Sequence, residues 1–408
     1  MRALRWLPFW RVFLRCAGRL SLRHMVFMAR RFACENPRRI DGRFWVNTFF
    51  PPYPSAGFER FLHAVLQRRR VPYSVYFAVT GRCPYSCGHC SYGRRAGGEM
   101  ETEQAKALIA QIESLGTAII GFTGGEPLLR PDIVELVAAA GPMSRVMFST
   151  GYGLTPELAG ALKTAGLDAL MIGLESDNAQ QHDATRQRAG SFDEGIAAIK
   201  TGLDAGLYVG VSTVATPARI DAGTIQRLAE LAENSGAYEL RLLEPVATGT
   251  GAGDLDLMLT EQHSRKMQSF HIAWNRRRTR CAAASFAYLE SDDMFGCGAG
   301  YHHLFIDAAG NVCPCDLTPL TMGNICDEPL EAIWQRMERW FARPRCGCFA
   351  KALCRQSDAV RHATELPLNV DQSASLCDSC RRPHDRLPAV YASYFRDRAQ
   401  VDRPATRR

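Results

Sequence analysis

Cys83, Cys87 and Cys90 fall within one run, Cys83-Pro84-Tyr85-Ser86-Cys87-Gly88-His89-Cys90, directly after an apolar stretch that reads as a strand. Pro84 keeps the run from being helical, so the three thiols sit on a loop. Three thiolates at this spacing can hold three irons of a four-iron cluster and leave the fourth open. A small molecule can chelate an open iron and receive an electron there. A zinc site or a buried loop shares such spacing, so the reading depends on what surrounds it.

Of fifteen cysteines, only Cys16, Cys34 and Cys281 stand apart; the other twelve lie at 83–90 or between 297 and 380. Short-spaced, clustered cysteines in a chain of 408 residues point to metal ligation rather than a disulfide framework, and a reducing cytoplasm is the natural compartment.

These residues need elements to position them. Apolar strand candidates occur at 74–79, 118–122, 145–149, 168–174, 207–214 and 238–243, separated by helical patterns at 102–115, 131–140, 155–165, 191–205 and 222–235. Strand and helix alternating at this interval imply βαβ units and a parallel sheet. The expected fold class is therefore α/β, an open partial (β/α)6 barrel. Chemistry collects at the carboxyl ends of parallel strands, and the cysteine loop follows the first strand.

Further polar groups end the later strands. Gly124-Gly125-Glu126-Pro127 follows the second strand, 34 residues past Cys90. Ser149-Thr150-Gly151 ends the third, Gly173-Leu174-Glu175-Ser176 the fourth, and His182-Asp183-Ala184-Thr185-Arg186 comes next. Each alone would be a cap, a turn or a surface group. Together and in this order, with C-x3-C-x2-C ahead of them, residues 74–244 resemble the radical S-adenosylmethionine (SAM) superfamily.

That resemblance implies that Cys83, Cys87 and Cys90 carry a [4Fe-4S] cluster whose open iron binds the amino and carboxylate groups of SAM. An electron from a reduced flavodoxin- or ferredoxin-type donor would cleave the S–C5′ bond, and the resulting 5′-deoxyadenosyl radical would take a hydrogen atom from substrate. Gly124, Gly125, Glu126 and Pro127 would receive the SAM amino group. Ser149 would meet the ribose or carboxylate, Glu175 the ribose, and Arg186 the carboxylate. Ser212 is a weaker ribose candidate. His89 stands where the family usually has an aromatic residue, and it is expected beside the adenine.

The second field begins Cys297, twelve residues, Gly310, four residues, Cys315, then Cys346-Gly347-Cys348, Cys354 and Cys377-Asp378-Ser379-Cys380. It resembles the SPASM or twitch extension of many radical SAM enzymes. Two departures stand out: Cys346-Gly347-Cys348 replaces C-x2-C, and Asp358 occupies a cysteine position. One auxiliary four-iron cluster is expected, with Cys297 and Cys315 its firmest ligands and Cys348, Cys354, Cys377 and Cys380 competing for the rest. A four-cysteine zinc site is the alternative. Little regular structure is expected between 291 and 382.

Residues 1–34 carry eight arginines and no acid, with Arg11, Arg15, Arg19 and Arg23 along one helical face among Trp6, Phe9, Trp10 and Phe13. Three readings fit: a segment on an anionic bilayer surface, a helix packed on the body, or a cleaved targeting segment. The positive charge is too localised for nucleic-acid binding. The expected organisation is a basic N-terminal helical segment at 1–70, a radical SAM core at 71–245, a linker and helix at 246–290, a cysteine-rich domain at 291–385 and a tail at 386–408. The substrate expected from the extension is a peptide or protein side chain, the alternatives being a membrane lipid or isoprenoid, a cofactor precursor, or a non-catalytic iron–sulfur role.

Overall fold

The computed structural model describes residues 10–380 and 386–396. Strands β1 (Arg38–Ile40) and β2 (Arg43–Trp45) form a small hairpin. The main sheet begins with β3 (Ser74–Thr80), β4 (Ile119–Gly124), β5 (Ser144–Ser149), β6 (Ala169–Gly173), β7 (Tyr208–Val214) and β8 (Glu239–Leu243). Helices Thr102–Ser114, Ile133–Ala139, Pro156–Thr164, Ser191–Asp204 and Thr224–Asn234 link them. Apolar runs such as Val75, Phe77 and Val79 are buried against Leu108, Ile109 and Ile112 of the first linking helix. Burial on both faces is what a parallel sheet requires. The expected α/β core is present.

The sheet is wider than the six expected strands. Its order is β11-β10-β3-β4-β5-β6-β7-β8-β9, where β9 is Ala282–Ser285, β10 His303–Ile306 and β11 Val312–Cys313. β9 continues the parallel sheet beyond β8, and β10 lies parallel to β3 on the other side. The run Ala282-Ala283-Ala284-Ser285 has no β-branched or aromatic residue, so propensity hides it. Its free edge is satisfied by helix Glu261–Arg277 instead. Asn275 donates Nδ2 to Ala283 O and accepts from Ala283 N, both at 2.9 Å, and His271 Nδ1 accepts from Ser285 N at 3.2 Å. Side chains covering the edge take the place of a further strand.

The expectation of little regular structure after 291 is also corrected. Besides β10 and β11, the region holds helices Leu330–Phe341, Phe349–Gln356, Asp358–Arg361 and Val370–Ser379. Leu330, Ile333, Trp334, Met337 and Phe341 recur at helical spacing and are buried.

Residues 36–54 run beneath the barrel. Trp45 stacks on Tyr208 at 4.2 Å and packs with Ile119, Val146 and Ala169, which lie at or near the starts of β4, β5 and β6. Thr48 donates its N and its Oγ1 to Glu239, each at 2.7 Å, and Thr48 Oγ1 accepts from Arg241 Nη1 at 2.9 Å. The segment therefore closes the amino end of the sheet. Trp45→Ala should cost about 3–5 kcal/mol in urea denaturation, the range for emptying a buried aromatic site. A loss under about 1 kcal/mol would show the segment to be an appendage.

Candidate functional site

β3 runs straight into the cysteine loop, and three neighbours hold that loop by its backbone. Gly125 N donates to Thr80 O at 2.8 Å, and Glu126 N donates to Arg82 O at 2.7 Å. A Cβ on Gly125 would fall 2.1 Å from Arg82 O, and Gly124 has φ +131°. Close approach of two backbones thus requires both glycines. From the second side, Ser86 N donates to Arg186 O at 3.3 Å. From the third, Thr250 N donates to Cys90 O at 2.9 Å, with Gly249 at φ +60° and its absent Cβ only 2.1 Å from Cys90 O. The Gly-rich stretch 248–253, which in sequence marks only a lapse of pattern, seats the third cysteine.

Glu126 faces inward. Its Oε1 accepts from Ser149 Oγ at 2.7 Å and Leu128 N at 3.1 Å, and its Oε2 accepts from Thr150 N at 2.7 Å and Thr150 Oγ1 at 2.5 Å. Burial pushes this carboxyl up against those hydrogen bonds. Glu126 and Pro127 do not line the cavity, whereas Gly124, Gly125 and Ser149 do. Glu126 instead fixes the end of β5 to the glycine turn.

Glu175 is the hub of the site. It meets His89 Nε2 at 3.2 Å and accepts from Arg186 Nη2 at 3.1 Å, Thr213 Oγ1 at 3.2 Å, Val214 N at 3.3 Å and Arg219 Nη1 at 2.6 Å. Burial alone would raise its carboxyl, but His89, Arg219 and Arg186 overcome this and hold it well below the usual range. Both oxygens are engaged by protein donors. One carboxylate against two guanidiniums leaves positive charge beside the loop: Arg186 Nη1 lies 3.5 Å from Cys87 Sγ. Arg186 Nε is a buried donor with no acceptor among the described residues. Arg219 went unnoticed in the sequence, since only the fold brings helix Pro217–Asp221 to Glu175.

The stretch 182–186 divides its labour on helix Ala179–Arg186. His182 and Arg186, one turn apart, share a face. His182 Nδ1 accepts from Glu175 N at 3.0 Å. Asp183 points elsewhere and accepts from Gly190 N at 2.7 Å, Ser191 Oγ at 2.8 Å and Phe192 N at 2.9 Å, starting the next helix.

One cavity of about 1380 Å³ joins the two cysteine fields, lined by Cys83, Cys87, Cys90 and His89 and also by Cys297, Cys315, Cys346, Cys348 and Cys380. Cys348 gives a hydrogen bond to Cys297, which lowers the Cys297 thiol and raises that of Cys348. Cys354 and Cys377 are buried and do not line this cavity. Both lie on the inward faces of amphipathic helices, and Cys354 Sγ donates to Ala247 O at 3.3 Å. Asp358 is exposed and pairs with Arg361. Cys313 is buried and accepts from Arg95 Nη1 at 3.3 Å. A separate trio, Cys34, Glu35 and His271, brings its ligand atoms within 4.8 Å of one another. Because Nδ1 of His271 accepts from Ser285 N, its proton sits on Nε2 and goes to Glu35 at 2.9 Å, so the trio is a hydrogen-bonded clasp.

Known proteins match the same two regions. Residues 77–231 fit the model described as the radical SAM superfamily, and residues 297–381 fit that of an iron–sulfur cluster-binding domain, SPASM. Over 323 residues the chain is 31% identical to mycofactocin maturase MftC of Mycolicibacterium smegmatis, spanning 74% of this chain and 79% of that protein. The chain belongs to the radical SAM superfamily. It is also 29% identical over 298 residues to the AdoMet-dependent heme synthase of Nitratidesulfovibrio vulgaris, covering 65% of this chain and 79% of the relative. Its fold resembles Streptococcus suis SuiB bound to precursor peptide SuiA, with TM-score 0.54, 16% identity and coverage of 67% and 68%. It also resembles anSMEcpe bound to AdoMet and Cp18Cys peptide, with TM-score 0.54, 13% identity and coverage of 80% and 99%. As a radical SAM enzyme it uses a [4Fe-4S] cluster and SAM, and its SPASM region carries auxiliary iron–sulfur, which removes the zinc alternative.

Two outcomes follow from this geometry. Gly249→Ala should displace Cys90 and lower the iron bound per chain by about half while sparing the second field; unchanged iron would show that the Gly-rich loop does not seat the cysteine. Burial lowers the His182 imidazole from 6.5 to about 4. The unfolded chain therefore takes up that proton first as pH falls, so stability is kept above about pH 6.5 and lost on the way to about pH 4. The metal-free chain should lose about 2 kcal/mol between about pH 7 and about pH 5 from this group. His182→Asn keeps an acceptor for Glu175 N and should flatten that slope in urea denaturation. Identical slopes would place the titration elsewhere.

Proposed function

We propose that this radical SAM enzyme modifies a peptide or protein side chain seated between its two cysteine fields. Cys83, Cys87 and Cys90 are the ligands of the SAM-binding cluster: three soft sulfur donors share one loop, and the guanidinium beside Cys87 favours their anionic form. When bound there, reduced cluster and SAM supply homolytic S–C5′ cleavage and a radical that removes hydrogen from an unactivated C–H bond. Arg186, which lines the cavity with Nη1 beside Cys87, would receive the carboxylate of SAM. The backbone at Gly124 and Gly125 lets the amino group approach, while Ser149, Ser212 and His89 line the remaining wall. Glu175 orients His89 and Arg186 rather than contacting the nucleotide itself.

In the second field, Cys297, Cys315 and Cys348 hold the auxiliary cluster, and among the described residues Cys346 and Cys380 are the other thiols of that field at the cavity. The observation that carries the substrate reading is one cavity of about 1380 Å³ that reaches both fields, so that SAM, the clusters and a substrate would share one enclosed space. SuiB bound to precursor peptide SuiA and anSMEcpe bound to Cp18Cys peptide, which share the fold, support it. Electrons would come from a reduced flavodoxin- or ferredoxin-type protein.

A second reading, a cofactor precursor bearing a carboxylate, is favoured by Arg241. This residue lines the cavity, is 1% exposed, donates to Thr48 Oγ1 at 2.9 Å and Tyr76 OH at 2.5 Å, and forms no ion pair among the described residues. The test uses dithionite-reduced, cluster-replete enzyme and a small-molecule-and-peptide extract of the source cells. Peptide substrate predicts extra 5′-deoxyadenosine from that extract, lost after protease digestion. Stimulation that survives digestion would move the substrate to the cofactor precursors.

A further inference from the structure

Helices Trp10–Cys16 and Leu22–Phe32 stand at the start of the described chain. The second is fastened to the body by its inner face. His24 is buried beside the Tyr394 ring at 5.7 Å, and Phe27, Met28 and Phe32 pack on the cluster around Phe50, Tyr288 and Phe295. Ser21 caps it, accepting from His24 N at 3.1 Å.

The outer faces are unusual. Trp10 is 54% exposed, Phe13 55%, Leu14 57%, Leu22 71% and Val26 42%; among the described residues the other exposed large apolar groups are Leu255 at 38% and Val370 at 44%. Positions 10, 13 and 14 form one helical ridge, and 22 and 26 form another. Single exposed apolar residues are ordinary, but five within residues 10–26 mark a contact surface.

Charge decides what the surface contacts. Arg11, Arg15, Arg19, Arg23 and Arg30 are exposed around the ridges, and residues 10–34 contain no acid. Arg15 pairs with Glu59 at 2.7 Å, while Arg11, Arg19, Arg23 and Arg30 have no ion pair among the described residues. A second copy of this face would bring like charges together. An anionic bilayer offers both an apolar layer for the ridges and headgroups for arginines that reach up to them. Residues 1–9 lie outside the described residues, but their sequence adds Arg2, Arg5, Trp6 and Leu7 in the same pattern. No helix among the described residues is long and apolar enough to cross a membrane.

We propose that the two N-terminal helices dock this enzyme on an anionic lipid surface, with Trp10, Phe13, Leu14, Leu22 and Val26 in the interface and the arginines around them on lipid phosphates. The mode is peripheral, reversible and independent of the cysteine chemistry.

The test is co-sedimentation of the full cluster-loaded chain with phosphatidylcholine vesicles, with and without phosphatidylglycerol. Binding is expected only to the anionic vesicles and should weaken as salt rises. Arg11→Gln with Arg19→Gln should weaken it roughly thirtyfold. Phe13→Ser with Leu14→Ser should weaken it at least tenfold, while Val370→Ser, at an unrelated exposed apolar site, should leave it unchanged. Since these residues lie outside the cavity, 5′-deoxyadenosine formation reports that each variant remains folded. Failure of the intact chain to bind, binding equal on neutral vesicles, or binding indifferent to Phe13 and Leu14 would each overturn the proposal. So would a dimer in sedimentation velocity that those variants dissolve while vesicles capture nothing.

Discussion

A buried carboxylate between two guanidiniums organises this site. Glu175 draws His89 from the cysteine loop, Arg186 from the helix after β6 and Arg219 from the helix after β7 onto one point. Charges taken out of water must be paired and hydrogen-bonded, and these groups meet most of that need through one another, with Arg186 Nε left over. The imbalance left over, two arginines for one glutamate, lies against Cys87. A loop built to present thiolates needs such an excess, because burial works against their ionisation: the Cys83 thiol is pushed up to about 11.

The remaining architecture supplies rigidity to that point. Glu126 performs for β4 and β5 what Glu175 performs for β6 and β7, tying strand ends together below the cavity wall. From beneath, Trp45 and Thr48 close the sheet and hold Glu239 and Arg241 in register. At the sides, β10 and β9 extend the core strands, so the second cysteine field is joined to the first through a shared sheet as well as a shared cavity. Substrate between the fields would thus face two cysteine sets held by one framework.

Much of this was legible because parallel strands announce themselves as buried apolar runs and because polar groups at their carboxyl ends have no structural reason to recur in order. Gly124, Gly125, Ser149, Glu175 and Arg186 were found that way, and all line the cavity. Roles were less legible than places. Glu126 and Glu175 look like ligand groups in sequence, yet both spend their oxygens on the protein itself. β9 was hidden by its alanines, and its partner Asn275 is visible only once the helix lies across the edge. Spacing along the chain does not say which thiols of the second field reach the cavity, because the helical face decides it: Cys354 and Cys377 are buried on theirs.

The proposed chemistry needs an iron that Cys83, Cys87 and Cys90 would leave uncapped at the end of β3. Electron paramagnetic resonance of the dithionite-reduced enzyme, with and without SAM, addresses it directly. Adding the nucleotide should alter the signal of one cluster, and that response should vanish, with about half the iron, when Cys83, Cys87 and Cys90 are all changed to Ala. A spectrum blind to SAM in the fully loaded enzyme would mean that a side chain already fills the fourth position.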